Sequence, residues 1–276
     1  MSSSDLTDPT TTGKALWAAG NYDAIAELTA DVGAAVAGAV AIEAGMTVLD
    51  VGTGTGNTAI PAALRGGEVT GLDISSDMLD GARRRAAEAG VEIEWVEGDA
   101  EALPYPDDSF DRVLTAFGTT LADNPDVAAN EMVRVCRPGG EIVMANWCPD
   151  GFPGRVLNTL REYLPSPAGE TVALTEWGTH GHLRRRLGGQ LVLAIEPGSV
   201  DLVFESPDAM LAHYEENLAP LVGAKAQLEP QRYDELRDAL RALIEELDAG
   251  EGETRVAATY LLVIGHKPVA DLRPNC

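Results

Sequence analysis

The sequence predicts an α/β fold built on a doubly wound, mostly parallel sheet. Three observations carry that reading. Short apolar runs alternate with segments of helical period through the first half of the chain. The first of these runs ends in a glycine-rich turn, and in the second half amphipathic helical stripes precede one more apolar run, the pattern of a lid inserted before a last strand.

Residues 14–44 have a helical pattern, with Leu16, Trp17, Tyr22, Ile25 and Leu28 as candidate buried positions. Residues 46–51 (MTVLDV) change the period and read as a buried strand. A helix over 57–64 follows, in which Pro61 is tolerated only because it falls within about the first turn. The alternation then repeats: a strand over 68–73, a charged helix over 76–89 stopped by Gly90, and strands over 92–96 and 110–115. A helix over 126–134, a turn at Pro138, Gly139 and Gly140, and a fifth strand over 141–146 complete the regular part. Past Trp147 come helices over 154–164 and 180–187 and short strands over 191–195 and 200–204. Two striped helices follow, one with Met210, Leu211, Tyr214 and Leu218, the other with Tyr233, Leu236, Leu240, Leu243 and Leu247, before a strand over 257–264. The expected division is a core over 14–150, a helical lid and substrate region over 151–250 with one or two strands, and a final strand and tail over 251–276. Such a lid would cover the carboxyl ends of the sheet.

Composition narrows the function classes. Asp and Glu total 44 against 20 Lys and Arg, a formal net charge of -24. That surface repels phosphate backbones and anionic headgroups, so nucleic acid and membrane are poor partners. Cys136, Cys148 and Cys276 are odd in number and lack CxxC spacing, against a disulfide framework or a zinc site. The first thirteen residues lack the basic and apolar regions of a signal peptide, and no run of 18 apolar residues is present, so a cytoplasmic location is expected.

Three motifs bear on chemistry. Asp50, Gly52, Gly54 and Gly56 follow the first strand as DVGTGTG, where glycines let a ligand approach the backbone and the next helix aims its amino terminus at the same point. A dinucleotide fingerprint would need a third glycine where Asn57 or Ala59 stands, and Asp50 would repel a pyrophosphate but can meet the ammonium of an amino-acid cofactor. Asp73, at the end of the second strand, can accept from both hydroxyls of a ribose; a helix cap is the alternative, which Ser75 or Ser76 would fill as well. Asp99, in Gly98-Asp99-Ala100 after the third strand, can receive the exocyclic amine of an adenine, or be an exposed turn acid.

The ordered set VLDVGTGTGN, GLDIS, EGDAEALPYPDDSFDRVLTAFG and RVCRPGGEIVMANW resembles the ubiquinone/menaquinone-biosynthesis branch (methyltransferase domain 11/25-like) of class I S-adenosylmethionine (SAM)-dependent methyltransferases. It covers residues 44–147. The resemblance implies a Rossmann-like seven-stranded sheet with an antiparallel last strand, which 257–264 would supply. It implies SAM as cofactor, with Asp50, Gly52, Gly54 and Gly56 forming the methionine-binding turn and Thr53 and Asn57 lining it. Asp73 would hold the ribose, Ile74 would pack on adenine, and Asp99 and Ala100 would read its edge. Ala116 and Phe117 would approach the methionine part, and the first helix, with Trp17 and Tyr22, would close over the cofactor.

The expected reaction moves a methyl group to oxygen, carbon or nitrogen of a small metabolite. Trp147, Phe152, Trp177, Phe204, Met210 and Tyr214 suggest an apolar, aromatic or polyketide-like acceptor. Weak base candidates are His180, His182 and His213, each more readily a partly exposed surface histidine, and no metal is expected. Arg184, Arg185 and Arg186 read as a solvated helix face or a contact for an acidic acceptor. The rival readings are a SAM-binding cyclase or regulator on the same scaffold, a nicotinamide oxidoreductase, opposed by the glycine spacing, and a nucleic-acid methyltransferase, opposed by the charge.

Overall fold

The computed structural model describes residues 21–164 and 176–269. Two helices open it, α1 (Tyr22–Glu27) and α2 (Ala30–Gly38), where the sequence suggested one long helix. The break lies at Leu28 and Thr29, where the Thr29 hydroxyl donates to the Ala26 carbonyl at 3.2 Å and closes the first turn. Leu16 and Trp17 lie outside the described residues.

The regular half runs β1 (Thr47–Val51), α3 (Ala59–Leu64), β2 (Glu68–Asp73), α4 (Ser76–Ala89), β3 (Glu94–Glu97), β4 (Phe110–Ala116), α5 (Pro125–Val135) and β5 (Cys136–Trp147). Its punctuation is chemical. Ser75 caps α4 by accepting the Met78 amide at 3.4 Å, and Gly90 closes that helix in the left-handed region at φ 70°. Asn124 caps α5 with Pro125 in its first turn. The expected turn at Pro138–Gly140 is instead an irregular start of β5: the pairing with β4 shifts register between Phe110 and Arg112, and Gly139 at φ 80° donates to the Lys267 carbonyl. The backbone bends there without leaving the sheet.

The second half holds α6 (Phe152–Tyr163), α7 (His180–Leu187), β6 (Val192–Phe204), α8 (Pro207–Asn217), α9 (Ala219–Gln227), α10 (Pro230–Leu247) and β7 (Thr254–His266). The two short strands expected over 191–204 are one continuous β6, unbroken by Pro197 because it is the edge strand and needs no partner beyond β7. A third lid helix, α9, was not apparent in the sequence, where its weak stripe blends into its neighbours.

The seven strands among the described residues join one sheet in the order β3-β2-β1-β4-β5-β7-β6. Strands β1 to β5 are parallel neighbours, and β7 runs antiparallel to both β5 and β6. This is the Rossmann-like mostly parallel sheet with an antiparallel last strand that the sequence predicts. Pairing of β7 with β5 ends at Tyr260 opposite Trp147, whereas pairing with β6 continues to Thr254 opposite Phe204. The β6–β7 ribbon therefore projects past the carboxyl ends of the parallel strands. Its Leu202, Val256 and Ala258 anchor an apolar cluster with Phe152, Leu160, Met210, Leu221, Leu236 and Leu240, so the lid helices have a core of their own.

Candidate functional site

The parallel strands β1, β2 and β4 end beside one another, and the loops leaving them must turn in little space. Gly52 at φ 65° and Gly118 are packed back to back: a Cβ on Gly52 would lie 2.8 Å from the Gly118 Cα. Phe117 turns the chain into this contact at φ 66°, a conformation that strains a non-glycine residue, and the Thr120 hydroxyl holds its carbonyl at 2.6 Å. Gly54 at φ 53° leaves the space that the Tyr22 ring covers; a Cβ there would meet that ring at 3.3 Å.

Asp73 sits at the centre. One carboxylate oxygen accepts the Gly54 amide at 2.8 Å and the other accepts the Ser75 amide at 2.9 Å. With Ser75 capping α4, Asp73 is released from that duty and lines the cleft. Burial raises its pKa, opposed by these backbone donors. The end of β3 is tied to the same place, since the Gly98 amide donates to the Asp73 carbonyl at 3.0 Å. Asp99 forms a local turn by accepting the Glu101 amide at 2.8 Å.

The resulting cleft encloses about 860 Å³, counting solvent at its mouth. Of the residues predicted from sequence, Tyr22, Gly52, Gly54, Asp73, Ile74, Asp99 and Ala100 line it together. Asp50, Thr53, Gly56, Asn57, Ala116 and Phe117 do not. Asp50 is buried beneath the loop, where it accepts the Thr53 hydroxyl at 2.6 Å; burial pushes its pKa up to about 7, with the Thr53 hydroxyl and the Ala59 amide opposing. Asn57 donates to the Ala26 carbonyl at 2.7 Å and so ties α1 to the loop. The Phe117 ring turns away from the cleft and stacks on Trp147, with centroids 3.7 Å apart and planes within 8°.

Sequence reasoning missed Met78, Glu101, Gly118, Leu121, Ala122 and Asp123, which together with Leu72, Ser75 and Gly98 complete the lining. A glycine just past the end of β4 was the available signal for this wall. Asp73, Asp99, Glu101 and Asp123 make the cleft acidic, which suits a cationic ligand and disfavours a pyrophosphate.

The base candidates separate. His180 is exposed. His182 is buried, with Nδ1 at 3.1 Å from Glu176 and Nε2 at 3.7 Å from Asp126, so it belongs to an ion cluster completed by Arg186. His213 lies between Phe204 and Tyr214 on α8, the lid helix that touches α1, and its Nε2 has no hydrogen-bond partner. Among the aromatic and apolar residues expected to face an acceptor, Phe152, Trp177 and Met210 are fully buried, while Trp147, Phe204 and Tyr214 are half-buried. No group of three metal-ligating side chains gathers among the described residues, and no described helix is long and apolar enough to cross a membrane.

Comparison with known proteins agrees with this geometry. Residues 48–140 match a family described as a methyltransferase domain. The uncharacterized protein Rv1405c of Mycobacterium tuberculosis is 36% identical over 220 residues, 79% of this chain and 80% of that one. The demethylmenaquinone methyltransferase of Renibacterium salmoninarum is 42% identical over 130 residues, 47% of this chain and 52% of that enzyme. In fold, the chain is similar to the protein BH2331 of Bacillus halodurans C-125, at TM-score 0.60 and 21% identity over 86% of this chain and 99% of that one. With its glycine-rich loop, its acid at the end of β2 and its 3-2-1-4-5-7-6 sheet, this chain belongs to the class I SAM-dependent methyltransferases.

Proposed function

We propose that the cleft binds SAM and that the chain transfers its methyl group to a small, largely apolar acceptor held beneath the lid. The observation that carries the reading is Asp73, fixed by the Gly54 and Ser75 amides where it lines the cleft at the end of β2. In this reading Asp73 holds the ribose hydroxyls, Asp99 and the Ala100 backbone meet the adenine edge, and Ile74 and Met78 pack on the ring. Gly52 and Gly54 admit the amino-acid end against backbone, and Tyr22 covers it. Asp50 supplies negative charge from beneath the loop. The fit is supported by the acidic lining, the glycine cradle and the room that a Cβ at Gly54 would remove. The bound cofactor supplies an activated methyl on a sulfonium, so the chain's task is to align a nucleophile and exclude water, which contributes on the order of 7–11 kcal/mol in well-oriented reactions. His213 is the base candidate this arrangement favours for an acceptor that arrives protonated.

Calorimetric titration with SAM and S-adenosylhomocysteine tests the cofactor assignment. Micromolar binding is expected, weakened in Asp73→Ala by at least roughly tenfold for loss of hydrogen bonds to a charged group. A folded wild type that binds neither ligand overturns it. Incubation with labelled SAM and a panel of apolar acceptors then separates transfer from mere binding: product without label would place the chain with the cyclases.

A further inference from the structure

Several buried side chains outside the cofactor cleft carry polar atoms with no partner, and three of them stand near the end of β5. Both amide atoms of Asn146, the hydroxyl of Thr119 and the indole Nε1 of Trp177 make no hydrogen bond, although the three residues are 0%, 1% and 1% exposed. Such orphans are uncommon in folded proteins, and each costs about 1–3 kcal/mol unless something satisfies it.

These residues share one end of one sheet face. Asn146 follows Met144 on β5 by two residues and so points the same way; its cross-strand neighbour Leu261, Met144 and Trp177 all belong to a single core cluster. The turn that holds Trp177 rests on the same strand end, since a Cβ on Gly178 would strike the Trp147 carbonyl. Thr119 lies in the short 3-10 turn Gly118–Leu121 just past β4, and its amide donates to the hydroxyl of Thr115 at 3.3 Å, which pairs with Met144, two residues before Asn146. Gly118 and Leu121, on either side of Thr119, line the cofactor cleft. Thr119 is thus flanked in sequence by two residues of that wall.

We infer that Asn146, Thr119 and Trp177 form the polar recognition point of the acceptor site and take a neutral hydroxyl or carbonyl on an otherwise apolar molecule. The inference rests on the methyltransferase reading of the adjoining cleft. Asn146 offers a donor and an acceptor, Thr119 either, and Trp177 a donor, so a hydroxyl or carbonyl is matched from both sides. None of the three is charged. Of the ionic groups beside Trp177, Glu176 holds His182 Nδ1 and Arg186 pairs with Asp126, while His182 Nε2 and Asp126 Oδ1 face each other at 3.7 Å without a hydrogen bond. An anionic acceptor would also have to pass the acidic cleft lining. A site built to hydrogen-bond a ligand rejects the analogue that lacks the group, because its own buried atoms are then left unpaired.

Equilibrium dialysis of the full chain, free and saturated with S-adenosylhomocysteine, against 2-naphthol, 2-naphthoate and naphthalene tests this. The expected order is 2-naphthol at least tenfold tighter than naphthalene, with naphthoate weakest. Asn146→Leu and Thr119→Val should each cut the preference for naphthol at least fivefold and leave S-adenosylhomocysteine affinity within twofold. Equal binding of naphthol and naphthalene, a preference for naphthoate, no binding of any probe, or an undiminished preference in both variants overturns the inference; the orphans would then be satisfied by internal water. Loss of S-adenosylhomocysteine binding alone would count against the cofactor reading, since the free protein is titrated with the same probes.

Discussion

The cofactor half and the lid half of this molecule are held by different physics. Around the cleft, position is set by single backbone contacts: Gly52 against Gly118, the Gly54 amide on Asp73, the Gly98 amide on the Asp73 carbonyl. Few residue types satisfy such contacts, so the site is rigid and tolerates little. In the lid, position is set by summed apolar burial. Leu160, Met210, Leu221, Leu236 and Leu240 pack on a ribbon that overhangs the sheet, and many side chains of similar volume would serve. The difference teaches that one half can conserve a cofactor while the other is reshaped for a new acceptor.

Truncating the lid core should separate the halves most sharply. Leu236 is completely buried, so Leu236→Ala should cost about 2–5 kcal/mol of stability, as for other buried Leu truncations. Its S-adenosylhomocysteine affinity, measured where the variant is folded, should stay within a few-fold of wild type. Chemical denaturation and calorimetry on the same samples decide it, and a proportionate loss of affinity would mean the halves are one cooperative unit.

Asp50 gives the next largest effect, this time on the cofactor side. Its carboxyl titrates near pH 7 when folded and near the ordinary 3.8 when exposed, so between these values the folded chain holds the extra proton. Stability from this residue therefore falls as pH rises from about 4 to about 7 and is flat above, the total loss being at most about 4 kcal/mol. Asp50→Asn should melt higher than wild type at pH 8, by less at pH 5, and close to it below about pH 4. A difference in melting temperature independent of pH would show that the carboxyl is already ionised at low pH.

The same contrast explains what the sequence could disclose. The strands β1, β2 and β4, the glycine loop and Asp73 were legible because each rests on a residue type that local geometry demands. Gly118 was missed although it does equal work, because its contact with Gly52 spans 66 residues of sequence and a lone glycine announces no partner. Phe117 was placed toward the cofactor, yet its left-handed backbone sends the ring to Trp147. The helix α9 and the continuity of β6 depend on which surface each segment meets, and periodicity alone does not encode that.

Gly52→Ala probes the backbone contact itself. A left-handed alanine costs about 1–2 kcal/mol, and its Cβ would also lie 2.8 Å from the Gly118 Cα, so the strands must part. A total near 3 kcal/mol, roughly a hundredfold in cofactor affinity, is expected. Calorimetry that found the affinity unchanged would show that the loop relaxes without opening the cleft.

The smallest effect concerns the tie between the halves. Asn57 donates to the Ala26 carbonyl and holds α1 over the loop, and α1 in turn touches α8 of the lid. One neutral hydrogen bond contributes about 1 kcal/mol, so Asn57→Ala should weaken S-adenosylhomocysteine by only about fivefold. The kinetics should be more telling than the affinity. If α1 closes over bound cofactor, with Tyr22 above Gly54, loosening its tether speeds dissociation and leaves association nearly unchanged. Stopped-flow dissociation should therefore account for most of the loss, and limited proteolysis near residue 26 should accelerate in the variant and slow again on saturation with S-adenosylhomocysteine. A loss confined to the association rate would instead mean that Asn57 preorganises the open loop, and that the lid half senses the cofactor by some other contact.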